Sequence, residues 1–335
     1  MVRPAAAPAG RTARHLPDFM ERPVAYVLSP ERAAEAVRAR PQPRSRFARA
    51  TGRNLRAHAF LLGALLCFAL FTWYPMVREI VMSFQRLHRG VTTWNGVQNY
   101  RQIMADPDFW QAWRNTLEFT GLALVLGFAV PFVVAIVINE FRHAQGYLRI
   151  LVYLPVMLPP VAGFLLFKYF MDPGFGLFDQ ALHALHLPTS TWLASKSSAM
   201  PSLVIVSTWA NMGAATLIYL AALQGIPGEL YEAAEMDGAG ILRRVWHVTV
   251  PQTRLILSLM LMLQIVATMQ MFTESFVLTG GGPEGSTTTL VYLVYNYAFN
   301  YNKFNTAAAL GVLMLLALGI FSAAYVLIER RGSRD

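Results

Sequence analysis

Charge is scarce in this chain. Only 14% of its 335 residues are charged, against about 25% in an average soluble protein, and 55% are hydrophobic. Mean hydropathy is +0.39. That balance excludes a disordered chain and argues against an ordinary soluble enzyme. Cysteine is nearly missing. Cys67 stands alone, so there is no disulfide framework and no internal disulfide. Nucleotide and hydrolase motifs are missing as well. No G-x-x-x-x-G-K-[S/T] occurs, so the chain has no P-loop of its own, and C-x-x-C, H-E-x-x-H and G-x-S-x-G are absent too. An intramembrane enzyme would need a nucleophile–base or metal constellation, and none is evident.

Acidic residues are outnumbered 19 to 28 by basic ones, giving a net charge of +9. Position decides what this means. Twelve of the basic residues, all arginines, lie in residues 1–57, ahead of a long apolar run. A basic tail so placed marks the cytoplasmic side of a membrane rather than a nucleic-acid site. The tail holds seven prolines and no repeating apolar face, so it reads as a flexible cytoplasmic segment, with a short helix start at Ser29-Pro30-Glu31. Its arginines also suit anionic membrane lipid. A cleaved signal peptide does not fit, because the first apolar run starts near His58 and is too long.

Crossing a bilayer takes about 20 apolar residues in a helix. Six runs qualify: about 58–82, 115–139, 148–170, 200–223, 253–278 and 305–328. The expected fold is therefore all-α, a polytopic membrane protein with six transmembrane helices in a domain over 58–330 and a short cytoplasmic C-terminus at 331–335. Placing both termini in the cytoplasm puts 20 basic residues inside and eight outside, as the positive-inside rule asks; without the tail the two sides are equal. Arg78 and Glu79 end the first run at a spacing suited to snorkelling.

Smaller features have plain readings beside functional ones. Gly280-Gly281-Gly282-Pro283 reads as a tight turn with positive φ rather than a phosphate loop. Asp179, His183 and His186 share a face if 177–186 is helical, and imidazoles suit zinc or copper. The plainer reading is a solvated outer helix, since a metal site wants three or four ligands with supporting partners, and no metal is expected.

The loop 224–251 carries the most information. Glu229–Met236 reads as a short helix with acids near its start, Gly238 and Gly240 as a bend, and Ile241–Val250 as a second short helix running to Pro251. Ala233 and Ala234 give a smooth face, while Glu232 and Asp237 give charges for a partner's Arg or Lys. An interfacial hairpin that merely joins two spans is the competing reading. Glu232-Ala233-Ala234, then Gly238, Val248 and Val250-Pro251, resembles the EAA loop of ABC-importer permease subunits. Val248 and Val250 stand where that pattern has Ile and Leu. Ala222–Pro227, Thr279–Pro283 with Ser286-Thr287, and Asn99-Tyr100, Phe109-Trp110 and Asn115-Thr116 resemble the carbohydrate branch, the maltose, glycerol-3-phosphate and arabinose-type permeases. The likeness covers about residues 58–330.

The resemblance implies a type I importer permease in a bacterial inner membrane. Its partners would be a second permease, ABC ATPase subunits that dock on the EAA loop and use the ATP, and an extracytoplasmic solute-binding protein that delivers sugar. No cofactor would be bound by this chain itself. Glu232 would meet a basic residue of the ATPase, and Gly238 would permit the bend. Ser207 and Asn211 share a face of the fourth span, Gln264 and Thr268 share one of the fifth, and Gln270 lies just beyond; they fall at or near the family's pocket positions. Amides both donate to and accept from sugar hydroxyls, and Trp209 and Phe272 could stack on rings. The competing reading is helix-to-helix hydrogen bonding, with Trp209 in packing. Glu118 and Glu274 are carboxyl groups that would face a cavity or a partner, or for Glu274 the headgroups. The nearest alternative functions are a permease for another solute, such as glycerol-3-phosphate, and an ion-coupled carrier.

Overall fold

The computed structural model describes residues 61–332 apart from Arg89 and Arg142. The expected tail over 1–57, its helix start at Ser29 and the last three residues lie outside the described residues. The chain divides into two units, residues 1–68 and 69–335. The described part of the first, residues 61–68, is helical and opens the apolar helix α1, Leu61–Ser83.

A short hairpin follows, β1 Gln85–His88 antiparallel to β2 Val91–Trp94, with Arg86 opposite Thr93. Then come α2 (Gln98–Ala105), α3 (Pro107–Glu140), α4 (Gln145–Met157), α5 (Pro160–Phe170), α6 (Leu177–Ala184) and α7 (Lys196–Gln224). After these lie α8 (Gly228–Met236), α9 (Ile241–Met269), α10 (Leu290–Tyr295) and α11 (Phe304–Gly332). The membrane part is helical as expected; the hairpin is an addition that no apolar run announced. Leucine, isoleucine and phenylalanine point outward along α4 and α11, which a soluble protein would not tolerate but a lipid-facing surface requires.

Among the described residues five helices are long and apolar enough to cross a membrane: α1, α3, α7, α9 and α11. The third expected span, 148–170, is not straight. It is the pair α4–α5, bent by 94°, and only with the pair taken as one span does the number reach six. The cause lies in the sequence. Leu158 and Pro159 are extended (ψ 142° and 124°), and the Pro159-Pro160 pair removes two N–H donors in succession. The second span begins earlier than expected, because Asp106 caps α3 by accepting from the Asp108 N–H at 3.0 Å with Pro107 at the first turn.

The fifth expected span, 253–278, is shifted. The stretch 241–250 is not a separate helix ending at Pro251; it is the first part of α9, which runs on to Met269. A π turn over Val245–Thr249 precedes Pro251, which sits in the first turn of the α-helical part beyond it. The same device precedes Pro75 in α1, a π turn over Ala69–Trp73. The wider turn makes room for a residue that cannot donate.

Packing centres on α3 against α7. Phe128 and Phe132 meet the Tyr219 ring edge-on at 6.0 and 5.4 Å, over Ala135, Ile138 and Leu223. At the other end Phe119, Phe164, Leu203 and Met271 form a second core. Gly213 brings α7 onto α4, since a Cβ there would lie 2.5 Å from the Val152 carbonyl. Glu79 lies against Gly311 of α11, so its carboxyl group uses the absence of a side chain there. Tyr297 donates to Asp106, tying the segment before α11 to the start of α3. Burial and that bond hold the Tyr297 hydroxyl above the ordinary tyrosine range.

Candidate functional site

The five polar residues singled out on the spans converge. Ser207 and Asn211 from α7, Gln264 and Thr268 from α9, and Gln270 just past it line one cavity of about 280 Å³. Phe119, Ala123 and Gly127 of α3 close its third side, and Phe272 and Glu274 its rim. The arrangement follows from helix periodicity, since residues three and four apart share a face.

Most of these groups hold their own helix rather than a neighbour. Asn211 Nδ2 donates to the Ser207 carbonyl at 2.8 Å, Thr268 Oγ1 to the Gln264 carbonyl at 2.8 Å, and Gln270 Nε2 to the Val266 carbonyl at 3.0 Å. Two bonds cross between elements. Ser207 Oγ donates to Glu274 Oε1 at 2.7 Å, and Gln264 Nε2 reaches the Ala123 carbonyl only at 3.5 Å. The Gln264 amide is therefore loosely held and Asn211 is exposed, which leaves both with hydrogen-bonding capacity to spare. Glu274 is 9% exposed and lines the cavity, so the protein itself surrounds its carboxyl group. Trp209 packs on Phe167 at 4.7 Å and over Gly163, and so belongs to the core. Thr208, Met212 and Gly127 also line the cavity. The spacing of three between Thr208 and Asn211 was the available signal for Thr208; nothing in the sequence marked Gly127.

Beyond α9 the chain turns through Gly280 and Gly281, with φ of +61° and +85°, as a tight turn requires. Side chains lock this loop. Asn115 Nδ2 donates to the Gly285 and Thr288 carbonyls at 2.8 and 2.9 Å, Thr116 Oγ1 accepts the Leu290 N–H at 3.0 Å, and Ser275 Oγ donates to the Thr287 carbonyl at 2.6 Å. Glu118 is exposed beside this loop. The possible metal group does not form. α6 ends at Ala184, and His186 has a left-handed φ of +56°, off the expected helical face. Asp179 instead accepts from Trp192 Nε1 at 2.7 Å.

The loop 224–251 is a helix, a bend and the start of α9. Gly238 ends α8 with φ +73°, and two bonds close the turn, Gly238 N–H to the Glu235 carbonyl and Ala239 N–H to the Ala234 carbonyl, both at 2.9 Å. This is a Schellman motif, which explains why glycine stands there. Glu232, Ala233 and Asp237 are exposed on α8, and Ala234 is half-buried. Glu235 pairs with Arg244, and Tyr231 OH lies 3.0 Å from Thr249 Oγ1, so α8 is fastened to the first turns of α9. Met236, Leu242 and Trp246 are bare beside it, 89%, 77% and 69% exposed. Apolar side chains this open suit a surface covered by a partner or by lipid. The Leu242–Trp246 spacing of four was the available signal.

Residues 127–334 match the family described as binding-protein-dependent transport system inner membrane component. A probable ABC transporter permease of Bacillus subtilis, YurN, is 32% identical over 77% of this chain and 90% of its own length. The arabinooligosaccharides transport system permease AraP of Bacillus subtilis is 30% identical over 79% of this chain and 85% of its own. The trehalose/maltose transport system permease MalF of Thermococcus litoralis is 30% identical over 82% and 93%. In fold, the chain is similar to a subunit of a bacterial ABC transporter involved in import of the acidic polysaccharide alginate. The TM-score is 0.76 at 23% identity, over 85% of this chain and 99% of that one. With a family match across more than half its length and relatives matched along most of theirs, the chain belongs to the binding-protein-dependent transport system inner membrane components.

Proposed function

We propose that this chain is the membrane permease subunit of an ATP-driven importer for a neutral sugar or oligosaccharide. The observation that carries the reading is the convergence of Ser207, Asn211, Gln264, Thr268 and Gln270 on one cavity between α3, α7 and α9. Relatives named for arabinooligosaccharides and for trehalose and maltose support a sugar. Among the described residues no Lys, Arg or His lines the cavity, while Glu274 does. An anionic solute such as glycerol-3-phosphate would meet an acidic group with no counter-charge, so that alternative is disfavoured.

In this reading a solute-binding protein delivers the sugar at the end where Gly280–Thr289 is locked. A second permease completes the pathway, and ATPase subunits bind and hydrolyse ATP. α8 docks into the ATPase, with Glu232 meeting a basic residue, Ala233 and Ala234 giving close approach, and Asp237, Gly238 and Pro251 shaping the loop. The exposed Met236, Leu242 and Trp246 supply apolar contact. Both termini then lie in the cytoplasm, on the α8 side.

The test is uptake of a panel of labelled sugars in cells carrying Asn211→Ala or Gln264→Ala in place of the native chain. Uptake should fall while the ATPase still co-purifies. Unchanged uptake in both variants would remove the cavity from the pathway.

A further inference from the structure

We propose that the groove between α4 and α7 holds an anionic phospholipid, with its phosphate on Arg149. The groove is about 400 Å³ and is walled by Arg149, Ile150 and Tyr153 of α4 and by Leu217, Leu220, Ala221 and Gln224 of α7. It is separate from the solute cavity. At 100° per residue, Ser207, Asn211 and Ala215 centre on one direction around α7, and Leu217, Leu220, Ala221 and Gln224 on another about 130° away.

Arg149 is the unusual member. Its Nε is buried and has no hydrogen-bond partner among the described residues. The ion pairs that are described, Lys196–Glu284 and Arg244–Glu235, do not involve it. The residue as a whole is half-buried and its guanidinium makes no ion pair among the described residues, so a phosphate in the groove would supply an acceptor it lacks. The guanidinium fork matches phosphate oxygens.

The order of polarity along the groove identifies the occupant. Arg149 stands one turn into α4, near the end where α7 finishes at Gln224 and α8 begins four residues later. Tyr153 lies one turn deeper, level with Gly213, and the walls between are aliphatic. Cation and amide at the membrane boundary with apolar walls beneath repeat the order of a phospholipid, phosphate first and acyl chain below. The lipid belongs to the leaflet on the α8 side, where anionic headgroups gather basic residues. It would tie α4 to α7 at the end that meets the ATPase. The inference does not depend on which solute is carried.

The test uses the assembled transporter, with its second permease and ATPase, released from mild detergent into native mass spectrometry. Samples are incubated with phosphatidylglycerol, with phosphatidylcholine, or with inorganic phosphate in competition. The wild-type assembly should retain phosphatidylglycerol over phosphatidylcholine, and inorganic phosphate should not displace it. Arg149→Gln should lower that retention about tenfold, the scale of one charged hydrogen bond. Ala221→Phe, an exposed position whose new ring fills the groove, should lower it with Arg149 in place. If Arg149→Gln fails to assemble, Ala221→Phe decides the matter. Equal retention in the wild type and the variants would overturn the proposal. So would displacement by inorganic phosphate, which would make this a free-anion site. Cross-linking of Ile150→Cys to the second permease would put protein in the groove and overturn it as well.

Discussion

Gly127→Ala offers a sharp test of the solute cavity, because the change is a single methyl group whose target is known. A Cβ at this position would stand 2.7 Å from Gln264 Nε2 and 3.5 Å from Thr208 Oγ1. Ordinary contact begins near 3.4–3.5 Å, so the Gln264 amide must retreat by about 0.7 Å or more. The amide is the end of a flexible chain held only by a 3.5 Å contact to the Ala123 carbonyl, so the fold should absorb the change for about 1 kcal/mol or less. The solute, however, loses a positioned partner. One neutral hydrogen bond is worth about 1 kcal/mol, or about fivefold. Transport in proteoliposomes driven by loaded binding protein is the assay. Maximal uptake per ATP hydrolysed should fall about fivefold, while half-saturation by the binding protein stays the same, since capture happens outside the cavity. In a Gln264→Ala background the added methyl has nothing to displace. Gly127→Ala should then cost almost nothing further, a coupling of about 1 kcal/mol between the two positions. An undiminished loss in that background, or no loss in the wild type, would refute the assignment of Gln264 to the solute path.

Three further outcomes are expected. Glu232→Lys should reduce uptake at least about tenfold and weaken ATPase co-purification without affecting membrane insertion, and Gly238→Val should do the same by forcing a β-branched residue to the φ of +73° at a cost of about 1–2 kcal/mol; normal uptake in both would remove α8 from coupling. Thr116→Val strands the buried Leu290 N–H, so the melting temperature of the purified protein should drop by about 2–8 °C. Because burial and Asp106 raise the Tyr297 pKa, the folded state keeps that proton longer than the unfolded one, so this contribution is whole below about pH 10 and is lost as pH rises beyond it; Tyr297→Phe should flatten that alkaline decline in a thermal-melt series, and an unchanged slope would exclude Tyr297 as its source.

The sequence was most readable where chemistry repeats at helical spacing. Ser207 with Asn211 and Gln264 with Thr268 sat four apart on two spans, and the structure brings the pairs to one cavity. The bend at Gly238 was readable because few residues other than glycine suit a left-handed C-cap. Proline was misleading. Pro251 looked like a stop, yet a π turn carries the helix past it. The expected straight span over 148–170 contains Pro155, Pro159 and Pro160, and the two in succession break it. The doubled proline marks the break, whereas nothing local showed that the helix would run past a single Pro251, because that depends on whether neighbouring carbonyls find other donors. Gly127, Gly213 and Gly311 were silent for a related reason. Their role lies in what approaches them from other helices, and such approach leaves no mark on the residues nearby in sequence.

The continuity of α9 has a mechanical consequence. Its first turns are fastened to α8 through Arg244 and Thr249, and its last turns carry Gln264 and Thr268. The loop proposed to dock and the cavity proposed to hold solute are thus attached to a single rod, about 43 Å long for its 29 residues. A tilt of about 10° applied at the α8 end would sweep the far end by about 7 Å, more than the width of a sugar hydroxyl's hydrogen-bonding reach. If α8 docks as proposed, power generated by nucleotide in another chain would need no chemical messenger inside this one. It would arrive as leverage, because two of the cavity's polar groups ride on the arm.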